Sequence, residues 1–319
     1  MRYLKYKKGV SNFSLKHMNN EWVVIKKKVL QYCISCLSSI ESEGVPIEQF
    51  MGEFITKGTE MFESEEIVFG EKEIVQHHIP DVLSTFIYGL DIPNAIKEFE
   101  REKTEKHFKC LLGAYYKDVL LGIFCQKEGL FLAGKLHTDI SLSVILCAGF
   151  FNDKLNMIAE HLDSYLSANS QKIFGYSIQS EYGRSSILYL AAFILGIFGN
   201  AEAKEKILKF CTPPHPAYIT ATDNLYSDDA QIVNDWVNQL AEFHISNSKE
   251  DHTFAFNREY WQYFPVEIIA LLQLRSQKGL PIDFITHPLL KDFLPFIAQQ
   301  LPIPLDETTQ QLEKRILEK

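Results

Sequence analysis

The chain has 319 residues, of which 46% are hydrophobic and 23% charged, a composition typical of one large globular domain or two ordinary ones. Its formal net charge of −9 disfavours nucleic acid as a partner, because proteins that bind nucleic acid present a basic face. Residues 1–28 carry a net charge of +7, so the rest of the chain carries −16. An acidic body of this kind is suited to a basic protein partner.

The most apolar part of the chain is the run of twelve residues at 187–198, ILYLAAFILGIF. A helix needs about 20 residues to span a bilayer, so this run predicts a buried core helix and no membrane contact. The basic N-terminus is not followed by the uninterrupted apolar segment of a secretion signal. Cys33 and Cys36 form a C-x-x-C without a second pair at metal spacing, which favours two core positions on one helix. We therefore expect free thiols and a cytoplasmic protein.

The spacing of apolar residues predicts an all-α protein. They recur at intervals of three and four, and no proline occurs between positions 93 and 213. Proline breaks helix interiors, so its absence suits a stack of helices. We predict an irregular helical bundle or solenoid of antiparallel helix pairs with at most one small hairpin. We expect residues 1–319 to form a single helical domain, whose sequence allows a division into sub-halves 1–211 and 212–319.

The apolar spacing, helix caps and turn residues divide the chain into predicted elements. Those of the first part are a helix from Asn20 to Gly44, a helix from Pro46 whose apolar face reaches Met61, a hairpin over 66–75 around Gly70, a polar loop with His77 and His78, and a long helix from Asp91 to Val119. Segment 128–135 is ambiguous. The later elements are helices over 137–151, 155–166, 187–198 and 202–210, an irregular stretch over 212–230, a helix capped by Asp228 or Asp229, an apolar helix closed by Gly279, and a C-terminal amphipathic helix.

Sequence motifs for catalysis are absent from the chain. It has no G-x-x-x-x-G-K-[ST] or G-x-G-x-x-G for nucleotides, no G-x-S-x-G nucleophile motif and no H-E-x-x-H zinc motif. Carboxylates act as a catalytic acid and base only where they converge from different elements, so an enzyme with dispersed residues stays an alternative. We expect no enzymatic activity, no cofactor and no metal ion.

Two acidic parts of the sequence are candidates for binding a partner. Opposite charge attracts a basic protein and penalises wrong partners. The structural alternatives are a solvated face for the first group and helix capping for the second. The candidate partner-binding residues are Glu63, Glu65 and Glu66 in one group, and Asp223, Asp228 and Asp229 in the other.

The second half of the chain has the sequence order of a known group of proteins. A helix that ends in histidine is followed by a polar loop, an apolar helix, a G-L-P-I segment and a leucine-rich end. The residues that carry this pattern are Trp236, Leu240, His244, Ala270, Leu271, Gly279, Leu280, Pro281, Ile282, Leu289 and Leu290. Over residues 200–295 the chain resembles the bacterial polymorphic-toxin immunity proteins, most nearly immunity family forty-nine. His287 and Pro288 depart from the family pattern, in which the proline follows an aromatic-leucine pair.

A second helical immunity family, which neutralises a secreted DNase toxin, has a similar aromatic helix. The residues that suit its pattern are Tyr260, Trp261, Glu267, Ala270 and Leu271. Either resemblance implies a protein that binds a cognate toxin tightly and occludes its active surface. The net negative charge of the chain outside residues 1–28 indicates in addition that this toxin is basic, as nucleases tend to be. The alternative is a helical interaction scaffold or regulator without a toxin partner.

Overall fold

A computed structural model of the chain describes residues 12–129, 137–170, 186–211, 213–251 and 254–318. Its one described sheet is an antiparallel hairpin of β1 (Met61–Val68) and β2 (Glu71–His78). The α-helices are α1 (Asn12–Glu43), α2 (Ile47–Lys57), α3 (Ile79–Thr85), α4 (Ile92–Arg101), α5 (Glu105–Lys127), α6 (His137–Phe150), α7 (Leu155–Ser170), α8 (Ser186–Ile197), α9 (Ala201–Leu208), α10 (Pro216–Asp223), α11 (Ala230–Asn247), α12 (Glu259–Tyr263), α13 (Val266–Gln277) and α14 (Glu307–Glu318). The predicted fold class, mostly helical with one small hairpin, is confirmed.

The core is a contiguous cluster of buried side chains that extends from α1 to α14. Helices α5 and α6 lie at its centre. All fourteen residues of α6 are buried, as expected for a helix that other helices surround. Helix α6 packs against α7, α8 and α13, while α5 packs against α4 and α14. Elements on both sides of position 211 therefore contribute to the same core.

The first helix shows how the apolar spacing produces the packing. Trp22, Val29 and Cys33 lie at helical intervals, and all three are buried. Cys36 is half-buried on the same helix, and both cysteines are free thiols. The left-handed Gly44, with a φ of 68°, follows the end of the helix, as predicted from its freedom to adopt a positive φ.

The predicted long helix from Asp91 to Val119 is wrong at both its start and its middle. The chain is already helical from Ile79, and a π-helical turn over Phe86–Asp91 joins α3 to α4. Pro93 has no amide hydrogen and its ring clashes with the carbonyl four residues back, which explains a widened turn just before it. The helix then stops, and α5 begins anew with Thr104 as its N-cap, where the side chain accepts from the amide of His107.

Three predictions for short segments are also wrong. Met61 begins β1 and does not extend α2, and His77 and His78 form the end of β2 and not a loop. The stretch 212–230 contains α10, which starts at Pro216 because proline fits the first helical position. Most of the ambiguous segment 128–135 falls outside the described residues.

The apolar run 187–198 lies almost entirely in α8, where Ile187, Leu190 and Leu195 are fully buried. The predicted core helix is therefore confirmed. Among the residues that the structure describes, no helix has the combination of length and apolar character that crossing a membrane requires.

Candidate partner-binding site

The β1–β2 hairpin is fixed to the helices at its base. Phe62 is buried and stacks on Phe50 of α2, with ring centroids 4.7 Å apart. The ring of His77 lies 5.6 Å from the same phenylalanine ring. The ladder continues below the strands, where the amide of Ile79 donates to the carbonyl of Glu60 at 2.9 Å. Because α3 begins directly after β2, the base of the hairpin is held on two helices.

The two faces of the hairpin have different environments. Met61 pairs with His78 and Val68 with Glu71, so alternate residues lie on opposite faces. The inner face, which includes the buried Phe62, contains Phe62, Ser64, Glu66, Glu71, Glu73, Val75 and His77. The outer face consists of Met61, Glu63, Glu65, Ile67, Lys72, Ile74, Gln76 and His78, and all eight of these residues are exposed. Three large apolar side chains therefore lie among charged groups in solvent.

The tip of the hairpin is a two-residue turn formed by Phe69 and Gly70. Their φ angles are 51° and 90°, the positive values of a type I′ turn, for which asparagine and glycine are the preferred residues. A phenylalanine in this region costs about 1 kcal/mol or more of backbone strain. Its side chain is also 104% exposed, with Ile67 at 77% and Ile74 at 64%. Phe69, Ile67 and Ile74 are not among the predicted partner-binding residues, because the prediction rests on acidic side chains alone. Large apolar residues close to Gly70 in the sequence are the signal that indicates them.

The three predicted glutamates of the hairpin have different roles. Glu66 lies on the inner face, where it accepts from Ser64 at 2.6 Å and pairs with His77 at 2.7 Å. Glu63 and Glu65 lie on the outer face. Glu65 pairs with Lys72 across the strands, and both of these side chains are exposed. Residues 61–78 contain five glutamates and one lysine, so the hairpin has a net charge of −4 with its histidines neutral.

A cleft of about 360 Å³ opens between α2 and the base of the hairpin. Glu53 of α2 and Glu63 of β1 line the cleft, and each carboxylate accepts a hydrogen bond from a glutamine. Gln49 donates to Glu53 at 3.1 Å, and Gln76 donates to Glu63 at 3.3 Å. Phe50 and Phe62 contribute aromatic surface to the lining. Within the described ranges neither glutamate has an ion pair, so both carboxylates are open to a cation from outside.

The second acidic group belongs to helices α10 and α11. Asp229 is the N-cap of α11 and accepts from the amides of Gln231 at 2.8 Å and Ile232 at 3.3 Å, which confirms the predicted cap. Asp223 and Asp228 are exposed. Helices α10 and α11 pack on α8, α1 and α13, whereas the hairpin rests on α2 and α3. In the described part of the chain no hydrogen bond or ion pair joins the two acidic groups.

A buried polar network connects the central helices. Asp118 of α5 accepts from Tyr88 of the π turn at 2.5 Å and from Tyr260 of α12 at 3.5 Å. Arg258 donates to Asp139 of α6 at 3.3 Å, and the adjacent carboxylate raises the pKa of that guanidinium. Burial raises the pKa of both tyrosines, so their hydroxyl groups stay protonated donors. The network joins the π turn, α5, α6 and α12.

A buried pair of polar side chains lies within residues 200–295, the segment that resembles the immunity proteins. His244 Nδ1 of α11 is 2.8 Å from Glu267 Oε1 of α13, and both side chains are completely buried. The other ring nitrogen of His244 is 3.1 Å from the carbonyl oxygen of Gln262. Both ring nitrogens therefore lie within hydrogen-bond distance of an oxygen atom. The pair fixes α11 to α13.

The described side chains include no group of three His, Cys, Asp or Glu residues placed to hold a metal ion. The candidate site consists of the outer face of the hairpin, its Phe69–Gly70 tip and the cleft at its base. No family model, curated protein or solved structure matches the chain.

Proposed function

We propose that the protein neutralises a cognate bacterial toxin by binding it tightly through the hairpin and occluding its active surface. The observation that carries this proposal is the outer face, on which exposed Ile74 lies opposite Glu65 and exposed Ile67 lies opposite Lys72. Exposed apolar groups surrounded by charged residues are typical of a surface that another protein covers.

The charge of this surface defines the partner. The hairpin has a net charge of −4, and the chain outside residues 1–28 sums to −16. Complementary fields speed encounter with a basic protein and repel acidic ones. A nuclease toxin fits this description, because the surface with which it binds phosphates is basic. An acidic protein seated there excludes the substrate without any chemistry of its own.

The helical body supports this role by holding the surface in one conformation. The hairpin base is packed on α2, and buried polar pairs fix the core helices. A preformed surface loses little conformational entropy when it binds, which favours the high affinity that neutralisation requires. The resemblance of residues 200–295 to immunity proteins agrees with this reading. Under this proposal the protein acts in the cytoplasm of the cell that it protects.

Co-expression with the neighbouring gene tests the proposal. An immunity gene lies directly downstream of its toxin gene, so the product of the upstream gene is the partner to express. We expect wild-type protein to restore growth and to co-purify with that product. The Glu63→Lys/Glu65→Lys variant should restore growth less well, while Glu160→Lys/Glu205→Lys, with the same charge change at exposed sites on α7 and α9, should act like wild type.

The outcomes separate the two functions considered for this chain. Co-purification without growth rescue favours the interaction scaffold or regulator. Failure of the wild-type protein both to bind the upstream product and to restore growth contradicts the proposal.

A further inference from the structure

We propose that Phe69 is the anchor of the interface, and that its ring inserts into an apolar pocket of the basic toxin with lysine and arginine side chains around the rim. This inference rests on the proposed function and deepens it by naming the inserted residue and the shape of the surface that receives it. The hairpin then acts as a rigid finger, and the partner site is concave.

The conformation of the tip supports an external role for this ring. Phe69 has a φ of 51° and is 104% exposed, so its side chain gains little from the fold while its backbone is strained. Asparagine adopts this conformation more readily and forms the same turn with a following glycine. A ring held in solvent by a strained backbone is explained by contact with a molecule outside the chain.

The surroundings of Phe69 match the anatomy of a binding hot spot. Ile67 and Ile74 lie on the outer face close to the turn and extend the apolar surface of the tip. Exposed Glu65 lies opposite Ile74 on the outer face, while the exposed Glu71 and Glu73 follow the turn on the inner face. Hot spots typically consist of an aromatic anchor with a polar rim that excludes water. The two-residue turn fixes the ring in place, so little freedom is lost on insertion.

Charge decides between the possible occupants. Two hairpins with a net charge of −4 each would repel one another, which disfavours a second copy of this chain. An anionic lipid surface repels the tip for the same reason. A basic protein satisfies both the carboxylates and the apolar ring. The cleft at the hairpin base, where neither Glu53 nor Glu63 has an ion pair with a described residue, offers a further place for one of its cations.

The Phe69→Asn variant tests the inference because stability and affinity should change independently. The probe is the product of the upstream gene, separated from its complex with wild-type protein in denaturant and refolded. We expect the variant to melt at the same temperature as wild type or higher, since asparagine suits the turn, but to bind about 30-fold or more weakly. Ile34→Asn, which removes a 58% exposed side chain from α1, is the matched control and should bind like wild type.

Four results would overturn the inference. Unchanged affinity of Phe69→Asn removes the anchor role but leaves the proposed function to the growth-rescue experiment. A clear loss of melting temperature assigns the ring a structural role. Self-association of the wild-type protein in sedimentation experiments, lost in Phe69→Asn, assigns the tip to a second copy. If the wild-type protein does not bind the probe, the proposed function and this inference are both contradicted.

Discussion

His244 and Glu267 show what the structure adds at the scale of single residues. They lie 23 residues apart in sequence, one at the end of a helix and one inside an apolar helix. Sequence alone singles out both but does not show that they meet, because that depends on how α11 crosses α13. In the structure they form a completely buried pair that joins α11 to α13.

The buried pair predicts strong coupling in a double-mutant cycle. His244→Leu leaves the Glu267 carboxylate buried without its partner and should lower the free energy of unfolding by about 3–5 kcal/mol. Glu267→Leu should have a similar effect. The double variant should lose clearly less than the sum of the two, because neither polar side chain is then left buried without its partner. Urea denaturation measures all three, and additive losses would show that the two side chains do not interact.

His287 predicts a specific pH dependence of stability. Its Nδ1 accepts from the amide of Leu289 at 3.2 Å, and burial lowers the pKa of the ring from 6.5 to about 4. The unfolded chain therefore takes up a proton that the folded chain does not. The stabilisation is complete above pH 6.5 and is lost as the pH falls towards 4.

The magnitude of this loss is about 3 kcal/mol from the one residue. His287→Asn keeps an acceptor for the Leu289 amide but has no titrating group. We expect its free energy of unfolding to fall less steeply than that of wild type between about pH 7 and pH 4. Equal slopes for the two proteins would refute the assignment.

At the scale of elements, α6 and α13 pack closely at Gly149, which apolar spacing in the sequence does not predict. A Cβ added at Gly149 would lie 2.8 Å from the Cβ and 3.1 Å from the Cα of Ala270. Gly149→Ala should therefore lower the free energy of unfolding by about 1–3 kcal/mol, although alanine is the better helix former. Gly52→Ala is the control, because nothing lies within 4 Å of an added Cβ there.

The two glycine variants should change stability in opposite directions. Gly52 lies inside α2, so alanine there should raise the free energy of unfolding by about 0.5–1 kcal/mol. Chemical denaturation of the three proteins checks both values. A stabilised Gly149→Ala protein would mean that α6 and α13 are not in close contact.

Some of the elements can be predicted from the sequence, and others depend on contacts that the sequence does not show. Helices with a regular apolar stripe, such as α1 and α11, follow from spacing and caps. The π turn does not, because it depends on how the backbone adjusts before Pro93 within a continuous helix. The apolar spacing does not predict the break before Thr104, because the spacing continues through that segment. The outer face of the hairpin required the strand register, which separates Glu63 and Glu65 from Glu66.

At the scale of the whole molecule, the negative charge of the chain is unevenly distributed. The hairpin concentrates five glutamates and one lysine into 61–78, and its base packs on α2 and α3. In α1, at the start of the chain, Lys26 instead pairs with Glu100 at 2.8 Å and with Asp292 at 2.7 Å. The basic side chain is used within the fold, while the hairpin carboxylates of the outer face point to solvent.

The association rate between this protein and the upstream gene product, measured against salt concentration, tests the central claim most directly. Glu63→Lys/Glu65→Lys should associate about tenfold more slowly at low salt and show a flatter salt dependence, because the steering charge of the outer face is reversed. Glu66→Lys, on the inner face, should have a smaller effect on this rate, and Glu160→Lys/Glu205→Lys should match wild type. If the outer-face variant associates as fast as wild type, or no slower than the α7 and α9 control, the hairpin is not the surface that binds the toxin.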